Sequence, residues 1–377
     1  MAEKKCLESV QILRGIAALA VVIHHACLMV LENGAKPALL NQFGYFTDLG
    51  ASGVDIFFVI SGFIMVFVSH QSFGRPNAAS EFWLKRLVRI VPLYWIYTTI
   101  MLLLVLSPFA MKHAVFSLSY TVKSYLFIPA FIPGSTMSLP QPLLIPGWTL
   151  FYEMFFYLIL GTWLRFGRLE TLVPFVLCCF SLSLMASRVL GDGSAVGAFL
   201  GQPIMFEFLF GVIVGYAFVK GRHLSPRGSL ACVWVAVAFF VLSIFARPAL
   251  ASRWIFWGLP SALLLYGAVG LSVGKGKLVS YLVGLGDSSY TLYLQHAFVI
   301  LVVGGFLKRS ILVHQLPPDL LIVLTVIGCT VLGWFSYLYL EKPMNTWLAK
   351  RFTTRPRQTP SVPESIASVK SAEIPSA

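Results

Sequence analysis

Separate apolar runs of about 18 to 22 residues recur along this 377-residue chain, each long enough as a helix to cross a hydrocarbon layer about 30 Å thick. Backbone N–H and C=O groups find no water in such a layer, so only helices and closed barrels can span it. The runs do not alternate apolar and polar with period two, which argues against a barrel. Composition agrees: 58% hydrophobic residues, 11% charged residues and a mean hydropathy of +0.81 lie outside the range of ordinary soluble domains. The expected fold class is therefore all-α, a polytopic helical bundle. About ten transmembrane helices fit, at roughly 10–30, 50–69, 90–110, 147–164, 171–187, 202–219, 229–247, 254–273, 289–307 and 319–340.

An even number of spans puts both termini on one side. Taking that side as the cytoplasm places nineteen of the 28 Lys and Arg residues inside and eight outside, with Arg14 in the membrane. This is the asymmetry the positive-inside rule requires. The first run is too long and too charged for a cleaved signal peptide, so it is read as a retained span. Anionic lipid headgroups account for the net charge of +13 without a nucleic acid partner. A transmembrane domain is expected over 1–350. The remaining 351–377 are polar and rich in Pro, Ser and Thr, the composition of a disordered cytoplasmic tail. The long outer loop PAFIPGSTMSLPQPLLIPG is expected to cover a cavity mouth or to fold back into the membrane. The six cysteines show neither disulfide nor zinc-site spacing, and no His/Asp/Glu cluster suggests a metal.

Ionisable groups inside spans are costly and mark candidate function. They are Arg14, His24 and His25 in span 1, Asp55 in span 2, Glu153 in span 4, Glu207 in span 6 and His296 in span 9. Eleven residues separate Arg14 from His25, about 20° past three full helical turns. The two therefore share a face, about 16 Å apart, with His24 turned about 100° away. Arg14 falls near the cytoplasmic boundary and His25 deeper in the bundle. Arg86 and Arg89, at i and i+3 in KRLVRIVPLYW, lie on one face at the cytosolic end of span 3. They can clamp a phosphate by charge and bidentate hydrogen bonding, or simply anchor the topology. Glu153 sits among aromatics in PGWTLFYEMFFYLI, and Glu341 closes span 10.

Taken in order, LRGIAALAVVIHH, GVDIFFVISGFIM, FWLKRLVRIVPLYW, PGWTLFYEMFFY, SYTLYLQH and a terminal EKP resemble the membrane acyltransferase-3 family from about Leu7 to Pro343. Within it the chain looks most like the exopolysaccharide O-acetyltransferases. The resemblance implies acetyl-CoA as the acyl donor and a bacterial inner-membrane location. It also implies a carbohydrate acceptor, free or polyprenyl-linked, and a setting beside polysaccharide assembly machinery. Carried over by motif, His25 falls on the family's histidine, Arg14 on the arginine before it, Arg86 and Arg89 on the paired arginines, and Trp148 and Glu153 on the Trp-x-x-x-x-Glu pattern. His24 departs from the pattern, so the working histidine is identified by spacing. The arginines would hold the donor phosphates. His25 would act as general base or take the acetyl group itself, with Asp55 or Glu153 orienting it. A transporter or flippase with a buried relay is the competing reading.

Overall fold

The computed structural model describes residues 2–34, 48–107, 115–246, 249–309 and 316–352. The expected tail from 353 lies outside them. Among the described residues every regular element is helical. The helices are α1 (Ala2–Glu32), α2 (Gly53–Ser69), α3 (Ala78–Leu106), α4 (Leu118–Tyr125), α5 (Trp148–Phe166), α6 (Leu172–Leu190) and α7 (Ala195–Leu200). There follow α8 (Phe206–Val219), α9 (Pro226–Ala246), α10 (Leu259–Gly270), α11 (Lys277–Asp287), α12 (Ser289–Arg309), α13 (Pro318–Ser336) and α14 (Lys342–Phe352).

Seven helical stretches, 8–32, 50–69, 78–106, 169–190, 226–246, 289–308 and 318–352, are long and apolar enough to cross a membrane. Two shorter apolar stretches, Pro203–Val219 and Trp254–Gly270, accompany them. Helix occupies each of the ten expected ranges, but α5 mixes Glu153 and Arg165 into its aromatic sequence. The count of ten rests on the apolar runs of the sequence, and the side of the termini on its charge distribution. Large apolar side chains stand exposed along α6 and α9, among them Leu182, Met185, Trp234, Leu242 and Phe245, as lipid-facing surfaces require.

Because lipid is as apolar as a leucine side chain, these helices associate by close packing at small residues. A Cβ on Gly62 would lie 2.1 Å from the Phe208 carbonyl oxygen, and one on Gly211 2.0 Å from that of Val59. Only glycine permits this crossing of α2 and α8. On the other side of the bundle a Cβ on Gly286 would come within 1.9 Å of the Gln11 carbonyl oxygen, which locks α11 against α1. α1 runs through the middle, touching α2, α10, α11, α12 and α13.

Two five-residue π segments interrupt the helical ladder, Trp254–Gly258 before α10 and Tyr337–Glu341 between α13 and α14. Helix α4 docks on α3: Tyr94 donates its hydroxyl to the Ser124 carbonyl at 2.9 Å, and Trp95 its indole N–H to that of Tyr125 at 2.9 Å.

Candidate active site

Helix α3 starts twelve residues before the expected span, so Arg86 and Arg89 project from a continuous helix rather than from a loop. With Arg14 they line an internal cavity of about 330 Å³. One wall is the apolar face of α2, including Phe57, Phe58, Ile64 and Met65. The polar lining comes from Ser61, Thr149, Glu153, Tyr157, Ser289 and the hydroxyls of Tyr290 and Tyr293.

A second cavity of about 380 Å³ adjoins it, sharing Gln11, Arg14 and Arg89. Lys85, Lys342 and Asn345 line it together with Asp287 and Glu341. Arg14 and Arg89 thus stand at the junction of a polar vestibule and an apolar chamber.

Each charged group is positioned by identifiable neighbours. The Gln11 amide donates to Asp287 Oδ1 at 2.6 Å, which turns its oxygen toward Arg14, and Arg14 Nη1 donates to that oxygen at 2.9 Å. Glu153 Oε1 accepts from Ser61 Oγ at 3.1 Å and from the Tyr157 hydroxyl. Arg86 lies over the Phe82 ring at 5.9 Å, and its Nε is buried with no hydrogen-bond partner. Among the described residues none of the three arginines forms an ion pair. The chamber therefore carries three guanidinium groups against the single carboxylate of Glu153. An unmatched excess of this kind in a bundle interior is suited to an anionic ligand.

His25 lies apart from these groups. Its Nδ1 is 2.9 Å from the Val21 carbonyl oxygen, and a carbonyl can only accept, so Nδ1 carries the hydrogen. Nε2 is left with the basic lone pair. His25 does not line the chamber. Tyr293, which does, has its ring 5.8 Å from that of His296, and His296 lies 5.0 Å from His25. The three rings lead in series outward from the chamber wall. His24 is next, 5.1 Å from His25, close to Gly50 in the turn that leads into α2.

Asp55 is elsewhere. Fully buried in α2, it accepts hydrogen bonds of 2.9, 3.1 and 2.6 Å from Arg253, whose Nη2 also donates to the Ala51 carbonyl at 2.7 Å. The Arg253 guanidinium lies 4.8 Å from the Trp257 ring centroid, and Glu207 is buried beside the pair. Asp55 lines neither cavity and makes no contact with His25 among the described residues. Arg253, counted by sequence as an outer-loop charge, has a side chain only 12% exposed.

Of the residues singled out by sequence, the structure brings together Arg14, Arg86, Arg89 and Glu153, sets His25 two rings beyond them, and separates Asp55. Sequence reasoning missed Gln11, Asp287, Tyr157 and Tyr293 as parts of the site. In SYTLYLQH a signal was available, because Ser289, Tyr293 and His296 recur at helical spacing on one face. Nothing local marks Arg253 as the partner of Asp55, 198 residues away.

Comparison with known proteins bears on the chemistry. The pattern of an acyltransferase domain matches residues 7–338. The exopolysaccharide production protein ExoZ of Rhizobium meliloti is 32% identical over 302 residues, covering 80% of this chain and 91% of ExoZ. The O-acetyltransferase OatA of Staphylococcus aureus is 23% identical over 375 residues, covering 92% of this chain and 58% of OatA. No solved structure matches the chain. A match that runs through every helix lining the first cavity, with a relative aligned over nearly its whole length, establishes that this chain belongs to the acyltransferase-3 family and is a multi-pass membrane acyltransferase.

Proposed function

We propose that this acyltransferase moves an acetyl group from cytosolic acetyl-CoA to a hydroxyl of a bacterial exopolysaccharide or of its lipid-linked precursor, in the inner membrane. The observation that carries this reading is the chamber itself: three arginines without carboxylate partners at its polar end, and histidines beyond its apolar end. Acetyl-CoA is an anion at one end and a neutral thioester at the other, which matches that polarity. Arg14, Arg86 and Arg89, with Lys85 and Lys342 in the vestibule, would take the phosphates. The pantetheine arm would run along the α2 wall toward Tyr293.

His25 Nε2 would remove the proton of the acceptor hydroxyl as its oxygen attacks the thioester carbonyl. Glu153, held by Ser61 and Tyr157, would balance the guanidinium charge in the chamber. Asp55 would act through structure, fixing the start of α2 beside His24. The acyltransferase domain is taken as 1–350, with the termini and tail cytoplasmic. ExoZ is named for exopolysaccharide production, and this supports the acceptor class.

Purified full-length protein given acetyl-CoA and acceptor should release free thiol in step with acetylation. His25→Ala should abolish both at normal membrane levels, and His24→Ala should retain most of the activity. The reading is overturned if wild-type protein consumes no thioester yet moves a lipid-linked saccharide across vesicles.

A further inference from the structure

We propose that His296 is a second catalytic imidazole, the group that delivers a proton to the sulfur of the leaving thiol. The inference rests on the acetyl-transfer reading above and extends it to a residue with no assigned role.

α12 is fastened at nearly every polar position. Tyr290 donates to the Ile90 carbonyl at 2.8 Å, Thr291 to Glu341, and Gln295 to the Cys329 carbonyl at 2.8 Å, while the Tyr293 hydroxyl accepts from Thr149 at 3.1 Å. Two buried side chains among the described residues of this helix are exceptions: Ser289 Oγ and His296 Nδ1 lack a well-formed hydrogen bond, although the Leu292 and Tyr293 carbonyls lie near the imidazole. Seven residues apart, they fall within about 20° of one face, roughly 10 Å from each other along the axis. Ser289 lines the chamber, and His296 is the next polar group past Tyr293 on that face. This imidazole is 1% exposed and has only its own helix's carbonyls near Nδ1, which leaves Nε2 to meet a substrate or a neighbouring imidazole.

The order of the rings assigns the role. Tyr293 faces the chamber, His296 follows at 5.8 Å, and His25 follows at 5.0 Å. A donor that enters through the chamber brings its sulfur to the His296 side. The acceptor proton is taken by His25, one ring further on, so the proton is gained and required at different places. Two imidazoles in series span that interval.

The acceptor O–H bond breaks as its proton moves to His25 Nε2, and the oxygen pair forms the new C–O bond at the thioester carbonyl. The C–S bond breaks with its electron pair on sulfur. His296, whose Nδ1 faces the Leu292 and Tyr293 carbonyls and so carries its hydrogen, takes the His25 proton at Nε2 and passes it to that sulfur, ending in its starting neutral tautomer. One O–H and one C–S bond are lost, and one C–O and one S–H bond are formed.

Leaving-group dependence tests this with full-length protein in lipid nanodiscs. The two donors are acetyl-CoA, whose thiol needs a proton, and 4-nitrophenyl acetate, whose phenol leaves readily as an anion. His296→Gln should lower kcat with acetyl-CoA about 100-fold, with the donor KM and the rate from 4-nitrophenyl acetate each within about threefold of wild type. His296→Asn, a smaller amide, guards against a packing artefact and should behave alike. His25→Ala should lose transfer from both donors. Equal losses from both donors in the two His296 variants would show a merely structural role, and wild-type kcat with acetyl-CoA would show no role. Either overturns the proposal. Wild-type protein that releases no thiol from acetyl-CoA would instead defeat the acetyl-transfer reading on which it rests.

Discussion

Two regions of this bundle hold arginine and carboxylate groups within the membrane helices, and they are finished differently. In the cluster on α2, Asp55 takes three hydrogen bonds from Arg253, which also caps the Ala51 carbonyl and lies against Trp257. In the chamber, Arg14, Arg86 and Arg89 face a cavity without an ion pair, and Arg86 Nε has no partner. The Asp55–Arg253 pair is closed by the protein's own groups, although both carboxyl oxygens of the adjoining Glu207 lack a hydrogen-bond partner, whereas the second cluster is left open beside a cavity. Cost explains why both persist: a charge buried without compensation is expensive, so an open cluster survives where solvent or a charged ligand completes it. Buried charge alone therefore does not identify a site in such a bundle; an unmet valence beside a cavity does.

The sharpest way to break this comparison is to open the closed cluster. Asp55→Ala removes three hydrogen bonds from the buried Arg253, leaving it beside Glu207, and should cost about 3–5 kcal/mol of stability. Denaturation in detergent micelles reads this directly. The double variant Asp55→Leu with Arg253→Met should recover much of the loss, because the desolvated charges go together. A double variant no more stable than Asp55→Ala would mean that the pair holds the fold by more than its charges.

Changes in the open cluster should leave stability intact and act on the donor. Arg86→Lys or Arg89→Lys retains charge but loses the planar fork, and should raise the KM for acetyl-CoA about tenfold, with the unfolding midpoint unchanged. Unchanged donor KM in both variants would reduce these arginines to topological anchors.

The smallest effect is expected outside both clusters. Lys220 donates to Glu170 at 2.7 Å on an exposed surface, where solvent screens the charges and the pair adds little. Glu170→Gln should shift neither the unfolding midpoint nor the transfer rate measurably. A clear loss of stability would show that surface pairs count for more in this bundle than the contrast with Asp55 and Arg253 allows.

The sequence by itself determined what depends on neighbours along the chain. Apolar runs longer than a bilayer is thick forced helices at each expected range, and periodicity put Arg86 beside Arg89. The ordered motifs carried the family. What only the tertiary structure decided is every pairing across helices: Gln11 with Asp287, His25 with His296, and Asp55 with Arg253 rather than with His25. It also decided that Arg86 and Arg89 reach the same cavity as Arg14, and that Arg253, in an expected outer loop, lies buried. A helical repeat fixes the face on which a residue lies. The depth and rotation at which two faces meet are set by close contacts such as Gly62 against Phe208 and Gly286 against Gln11. Those contacts join residues far apart in sequence, where no local pattern records them.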